Sequence, residues 1–187
     1  MKKSLLRKPH IVKIGNPVLR GKTCPVPLRL LRDGKFQTLL AQMVETMRKA
    51  QGVGLAANQM GWKVRVFVME CRANPRYPKA AFFPLQVYVN PRILRYSRAV
   101  EKGWEGCLSI PGYRGLVPRA KRVTMEAMRP DGRKVRKTFR RFEARVVQHE
   151  VDHLNGRFYV DRMKSLKCWM HLEEFNRTAS VRVRDGR

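Results

Sequence analysis

Two histidines and a glutamate share one short segment of the chain. Residues 148–156 read QHEVDHLNG, so that His149 and His153 are four positions apart and Glu150 follows the first histidine. On an α-helix, side chains four residues apart lie on the same face, and both imidazoles can therefore reach one metal ion. Glu150 is placed to take a proton from a water molecule beside that ion. The spacing predicts a hydrolytic metal site that still needs a third protein ligand.

Three patterns are candidates for that third ligand. The extended pattern HExxHxxGxxH is excluded, because Gly156 matches it but Tyr159 stands where the last histidine belongs. A glutamate downstream, as in thermolysin-type proteases, is offered by Glu173 and Glu174. Cys107 is the third candidate, because the glycine and serine around it in EGCLS leave a thiolate accessible. Spacing alone does not decide between Cys107 and the two glutamates.

A third segment, residues 52–59, combines small residues with one amide side chain in the sequence GVGLAANQ. Small residues let the backbone of a substrate approach closely. The side chain of Gln59 can donate a hydrogen bond to a developing oxyanion. Taken by itself, the stretch is more typical of a tight turn against a helix than of a substrate site.

Together the three segments resemble the motifs of the peptide deformylase family, GxGxAAxQ, EGCxS and QHExDH, in the same order and at similar separations. The resemblance extends from about residue 11 to residue 163. It implies that Cys107 is the third ligand beside His149 and His153. It also implies the reaction, which is hydrolytic removal of the formyl group from N-formyl-methionyl nascent peptides, with release of formate.

The resemblance further implies a role for each catalytic residue. Glu150 would act as general base and then give the proton to the departing amine. The side chain of Gln59 and the backbone N–H of Leu108 would donate to the oxyanion. Family members use Fe²⁺ in the cell, and Zn²⁺, Ni²⁺ or Co²⁺ can occupy the site in purified protein. The ligand types alone would have favoured zinc.

The methionine side chain of the substrate needs an apolar pocket beside the metal. The candidate substrate-binding residues are Val53, Gly54, Arg114, Phe142 and Val146. Packing in the core would equally explain Phe142 and Val146. We expect Glu105 and Asp152 to support the metal ligands, with Asp152 paired to an arginine such as Arg119.

These residues need elements to position them, and hydrophobic periodicity predicts where the elements lie. Separate helices and antiparallel strands predict an α+β fold in a single domain, with the strands packed around a central metal-binding helix. The predicted helices are 36–50, 142–155 and 163–176, and the predicted strands are 64–70 and 85–91. The sequence also predicts a surface loop at 72–84, a turn-rich segment at 102–115 and a hairpin around Pro130-Asp131-Gly132.

The charge of the chain is strongly positive, with 41 Lys and Arg against 14 Asp and Glu and a formal net charge of +27. Such a surface attracts polyanions, which predicts a transient electrostatic association with the ribosome. No motif of a sequence-specific nucleic-acid reader is present. No apolar run is long enough to predict a membrane span. Four widely spaced cysteines without a CxxC pair favour a reducing compartment.

The ends of the chain are basic, and we expect an N-terminal extension at 1–10 and a tail at 177–187. The bacterial cytoplasm is the expected location. A mitochondrion or another organelle is the alternative, because the acid-poor start resembles part of a transit peptide. Ala144-Arg145 before the histidine motif and GYRG after the cysteine motif also resemble the organelle-type (type 1) branch of the family.

Overall fold

Two antiparallel sheets and three α-helices form the fold of the computed structural model, which describes residues 10–72 and 82–184. This architecture confirms the predicted α+β class. In chain order the elements are α1 (Gly34–Lys49), β1 (Gly54–Ala56), β2 (Val66–Cys71), β3 (Phe83–Tyr96), β4 (Val100–Cys107), β5 (Ile110–Ala120), β6 (Arg122–Met128), β7 (Lys134–Arg140), α2 (Arg141–Leu154), β8 (Trp169–His171) and α3 (Leu172–Arg184).

The larger sheet has the strand order β1-β2-β3-β6-β7, and the smaller one has the order β4-β5-β8. Helix α2 contacts strands of both sheets, so it occupies the centre of the fold. Strand β2 is buried along its whole length because helices cover both of its faces. Phe67 and Met69 pack in the core cluster that includes α2, whereas Val66 and Val68 pack in the cluster that includes α1.

Helix α2 ends where a glycine is required. Its last residue is Leu154, and Gly156 follows with a φ of +73°, a left-handed conformation that favours glycine. A Cβ on Gly156 would also overlap the backbone carbonyl of Arg20. The chain therefore stops the helix immediately after His153 and packs closely against the N-terminal segment.

Several predicted elements are confirmed within a few residues, namely α1, β2, α2 and the β6–β7 hairpin; β3 is longer than expected. The turn-rich segment predicted at 102–115 is wrong, because it forms β4 and β5 around a two-residue connection. Its glycines suggested turns, but in the structure they leave space for side chains from residues far along the sequence. A Cβ on Gly103 would meet the guanidinium of Arg145, and one on Gly115 would meet Tyr159 and Met163.

The helix predicted at 163–176 is also wrong in its position. Residues 166–168 form a 3-10 turn, Trp169–His171 pairs with β5 as strand β8, and α3 begins only at Leu172. The expected basic tail continues α3 as far as Arg184. Residues 1–9, 185–187 and most of the predicted loop at 72–84 lie outside the described residues. Within the described residues, no helix is both long and apolar enough to cross a membrane.

Candidate metal centre and active site

The three predicted metal ligands meet at one point between α2 and the end of β4. Cys107 Sγ lies 3.2 Å from His153 Nε2, which in turn lies 3.1 Å from His149 Nε2. All three ligand atoms are within 4.8 Å of one another. The alternative ligands are not part of this group, since the side chains of Glu173 and Glu174 on α3 are 87% and 51% exposed.

This donor set fits a small divalent ion. Two nitrogen ligands of a tetrahedral ion stand roughly 3.3 Å apart, given metal–nitrogen bonds of about 2.0–2.1 Å, which is close to the separation observed here. Burial by itself raises the pKa of Cys107, but the charge of His153 and hydrogen bonds with both histidines outweigh it and lower that pKa well below its usual value. The cysteine can therefore be present as the thiolate that a metal requires.

Glu105 fixes the orientation of His149. The Nδ1–H of His149 donates to Glu105 Oε2 at 2.8 Å, which leaves Nε2 directed at the other ligand atoms. Arg119 donates to both oxygens of this carboxylate, at 2.9 and 3.0 Å. Burial would raise the pKa of Glu105, but the charge of Arg119 and the hydrogen bond from His149 prevail and hold it well below the usual range. Arg119 also donates to Asp152 at 2.5 Å, which confirms the predicted pair.

Arg145 holds the metal helix against the strands that lead to Cys107. It lies on α2, one turn before His149, and donates to Glu105 Oε1 at 2.8 Å. The same guanidinium donates to backbone carbonyls of β4 and β5, at Glu101 (2.8 Å), Gly103 (3.2 Å) and Val117 (2.9 Å). In the sequence, Arg145 stands out only as a marker of the family branch, and nothing there indicates these contacts.

The amide of Gln59 is held in one orientation. Its Oε1 accepts from the backbone N–H of Ala56 at 2.9 Å, so that its NH₂ group faces the metal ligands. Gln59 Nε2 lies 3.1 Å from Ser109 Oγ and 3.5 Å from Cys107 Sγ. Ser109, to which the sequence gave no role, also donates its backbone N–H to Cys107 Sγ at 3.4 Å. A donor directed at the reaction centre is therefore already in place.

Glu150 is buried on α2 between the two histidines in sequence. Its Oε2 has no hydrogen-bond partner in the part of the chain that the structure describes. Burial raises the pKa of this carboxyl to about 7, although the charges of His149 and His153 act in the opposite direction. A carboxylate with that pKa can both accept and return a proton near neutral pH.

A pocket opens beside these groups, and its lining includes most of the residues predicted to act. They are Val53, Gly54, Gln59, Cys107, Leu108, Phe142, Val146, His149 and Glu150. Trp104 also lines the pocket, and no motif or spacing in the sequence indicates this. Arg114, which the sequence also predicted to bind substrate, is not among the residues that line this pocket. Its buried side chain lies behind Gly106, with the guanidinium 5.7 Å from the ring centroid of Phe175.

Comparison with known proteins points to one family. The model of the polypeptide deformylase family matches residues 8–169. The chain is 41% identical over 155 residues to peptide deformylase 2 of Nostoc sp., covering 83% of this chain and 86% of the relative. It is 43% identical over 163 residues to peptide deformylase 2 of Pseudomonas putida, covering 87% and 92%.

Solved structures agree with these relatives. The Met-Ala-Ser-bound class I type b peptide deformylase of Acinetobacter baumannii aligns with a TM-score of 0.80 at 41% identity, over 82% of this chain and 97% of that one. The peptide deformylase of Thermotoga maritima aligns with a TM-score of 0.74 at 34% identity, over 85% and 99%. The class I neighbour is consistent with the type 1 branch. The chain belongs to the peptide deformylase family and is a metal-dependent hydrolase that removes the N-terminal formyl group from nascent polypeptides.

Proposed function

We propose that Cys107, His149 and His153 hold one divalent metal ion, and that this ion is Fe²⁺ in the cell. The observation that carries the ligand assignment is the convergence of a sulfur and two nitrogens within 4.8 Å. A thiolate with two imidazoles is compatible with Zn²⁺, Ni²⁺ and Co²⁺ as well. The choice of iron rests on the practice of the family.

The roles of the surrounding residues follow from their positions. When bound, the ion polarises the formyl carbonyl and lowers the pKa of the attacking water. Glu150 takes a proton from that water through Oε2, the oxygen without a partner among the described residues. The new bond joins the water oxygen to the formyl carbon. The C–N bond then breaks, Glu150 returns the proton to the amine, and formate leaves.

Two donors stabilise the negative charge that develops on the formyl oxygen. Gln59 contributes its NH₂ group, which the hydrogen bond from Ala56 to Oε1 keeps turned towards Cys107. Leu108 contributes its backbone N–H from the connection between β4 and β5. Lys13 Nζ donates to the carbonyl oxygen of Leu108 at 2.9 Å and so restrains the next peptide unit, between Leu108 and Ser109. Donors fixed in advance are most effective at a developing oxyanion.

The methionine side chain of the substrate lies, in this proposal, in the pocket beside the metal ligands. Val53, Phe142 and Val146 supply its apolar wall. Gly54 lines the same pocket and lets the formyl-methionyl backbone pass close to β1.

The setting of the reaction is also part of the proposal. The relatives named above are bacterial proteins, which supports the bacterial cytoplasm over an organelle. The net charge of +27 supports a transient, electrostatic association with the ribosome, where formylated chains emerge.

The direct test is formate release from formyl-Met-Ala-Ser by protein loaded anaerobically with Fe²⁺ or Ni²⁺. We expect turnover by the parent and a loss of at least about 10²-fold in Glu150→Gln, with the metal retained. Metal analysis of Cys107→Ser should show a marked loss of bound ion. A Cys107→Ser protein that keeps its metal, or a folded and loaded parent without turnover, would overturn the assignment.

A further inference from the structure

A basic groove leads away from the active-site pocket. It consists of two adjoining cavities of about 500 Å³ and about 330 Å³, which share Lys121 and Arg141. The larger cavity also shares Phe142 and Arg145 with the lining of the active-site pocket. The exposed cations of the basic groove are Lys102, Lys121, Arg122, Arg140 and Arg141.

These five cations lie close together along the groove, and no ion pair neutralises their charges in the part of the chain that the structure describes. None forms a salt bridge with a carboxylate in the described part of the chain. Glu101 is the acid found in the groove lining. Unpaired cations along one groove create a positive potential that a bound polyanion would neutralise.

The backbone presents these cations in a fixed arrangement. They come from β4, from the β5–β6 connection and from the junction between β7 and α2. Arg141 has a φ of +51°, which is unusual for a residue other than glycine. Its backbone N–H donates to Lys121 O at 2.9 Å, and this bond ties the β5–β6 connection to the start of α2. Arg141 is the first residue of α2, so the positive end of the helix dipole lies at the groove.

We propose that the basic groove docks the phosphate backbone of RNA, and thereby holds the enzyme on the ribosome with its active-site pocket towards the emerging chain. The proposal rests on the proposed function. Nascent substrates differ in sequence beyond the formyl-methionine, and a groove selective for acidic peptides would process them unevenly. What they share is attachment to an RNA-rich particle, and phosphates present the same charge at every position.

The test compares two variants that change the net charge equally. The groove variant carries Lys102→Glu, Lys121→Glu and Arg140→Glu. The control carries Arg29→Glu, Arg32→Glu and Lys35→Glu, which are exposed at or near the start of α1 and do not line the groove. Binding of a fluorescein-labelled single-stranded RNA is measured by anisotropy at several KCl concentrations, with circular dichroism to verify folding.

We expect the groove variant to bind this RNA at least about 10-fold more weakly than the control. The slope of log K against log[KCl] should become shallower by about 2, because each lost phosphate contact on a single strand removes about 0.7 from it. Formate release from free formyl-Met-Ala-Ser should stay within about 2-fold of the parent, since none of the three residues touches the reacting atoms. If the groove variant fails to fold, the corresponding glutamine substitutions provide the same comparison. Equal RNA binding by groove variant and control would overturn the proposal.

A second measurement distinguishes RNA from the alternative occupant of the groove, the acidic side chains of a substrate peptide. Formyl-Met peptides with glutamate or lysine at the next three positions are compared at low salt. If the groove variant loses kcat/KM only for the glutamate peptide while RNA binding is unchanged, the groove binds the substrate's own side chains and the RNA proposal is wrong. Failure of the parent to release formate from any free peptide would instead count against the proposed function.

Discussion

Gly54 leaves the space that the carboxylate of Glu150 occupies, because a Cβ at position 54 would overlap Glu150 Oε1. Because Gly54 has no side chain, strand β1 leaves room for Glu150, the proposed general base on α2. The small residues of GVGLAANQ predicted room for a substrate, and at Gly54 the structure shows that this room is taken by the side chain of Glu150.

Gly54→Ala should therefore displace Glu150 and lower kcat by about 10² or more, because a general base works only within hydrogen-bond reach of its proton. The three atoms nearest to the added methyl group all belong to Glu150 and none to the proposed metal ligands, so we expect the metal content to be unchanged. Formate release and metal analysis are measured together. Gly34→Ala is the control, since a Cβ at that exposed position meets nothing within 4 Å. Full activity in Gly54→Ala would show that Glu150 can act from another position.

The oxyanion donor can be tested without changing its size. Gln59→Glu replaces the NH₂ group by a carboxylate oxygen, which accepts hydrogen bonds but does not donate them. We expect kcat to fall by about 10²–10³, with the metal still bound, because one missing oxyanion donor has an effect of that order. Ser109→Ala is the control, since it removes the hydroxyl partner of Gln59 Nε2 and leaves the donor itself. Equal losses in both variants would indicate that Gln59 acts by supporting the cysteine segment.

The sequence predicted the catalytic centre better than its surroundings, for a physical reason. His149, Glu150 and His153 lie within one helical turn, so local spacing alone places them together. Cys107 comes from 42 or more residues away, and only the family resemblance joined it to the histidines. The contacts of Arg145 span 28 to 44 residues, a distance over which sequence periodicity carries no information. The glycines of β4 and β5 were mistaken for turn residues for the same reason.

An ion pair between α1 and β2 should make the stability of the protein depend on pH. Arg48 donates to both oxygens of the buried Glu70, at 2.7 and 3.0 Å. The hydrogen bond from Arg48, against the effect of burial, lowers the pKa of Glu70. The folded state therefore gains stability above the unfolded-state pKa of about 4.3, and this gain is lost as pH falls through the lower folded-state value.

The free energy of unfolding of Glu70→Gln should consequently fall less than that of the parent as pH is lowered from about 5 to about 3. At pH 7 the variant should be less stable than the parent. Urea unfolding followed by circular dichroism gives the free energy of unfolding at each pH. Glu45→Gln is the control, because Glu45 pairs with Lys49 on the exposed face of α1 and such pairs contribute little. If the free energy of unfolding depended on pH in the same way in the parent and in Glu70→Gln, the ion pair would not be the source of the pH dependence.

Arg145 offers a test of how the metal site is assembled, because its guanidinium joins the helix that bears both histidines to the two strands that precede and follow Cys107. Arg145→Met keeps an unbranched apolar side chain in place of the arginine stem and removes every donor. Glu105 then loses one of its partners, and three backbone carbonyls lose theirs. We expect the affinity for Co²⁺ to fall by about 10–100-fold, as for other groups that orient metal ligands. The visible absorption of the cobalt–thiolate should broaden or shift, since Cys107 is held less firmly. Arg136→Met, an exposed position on β7, controls for the loss of one charge. A Co²⁺ affinity and spectrum equal to those of the control would show that β4, β5 and α2 place the three ligands without this arginine.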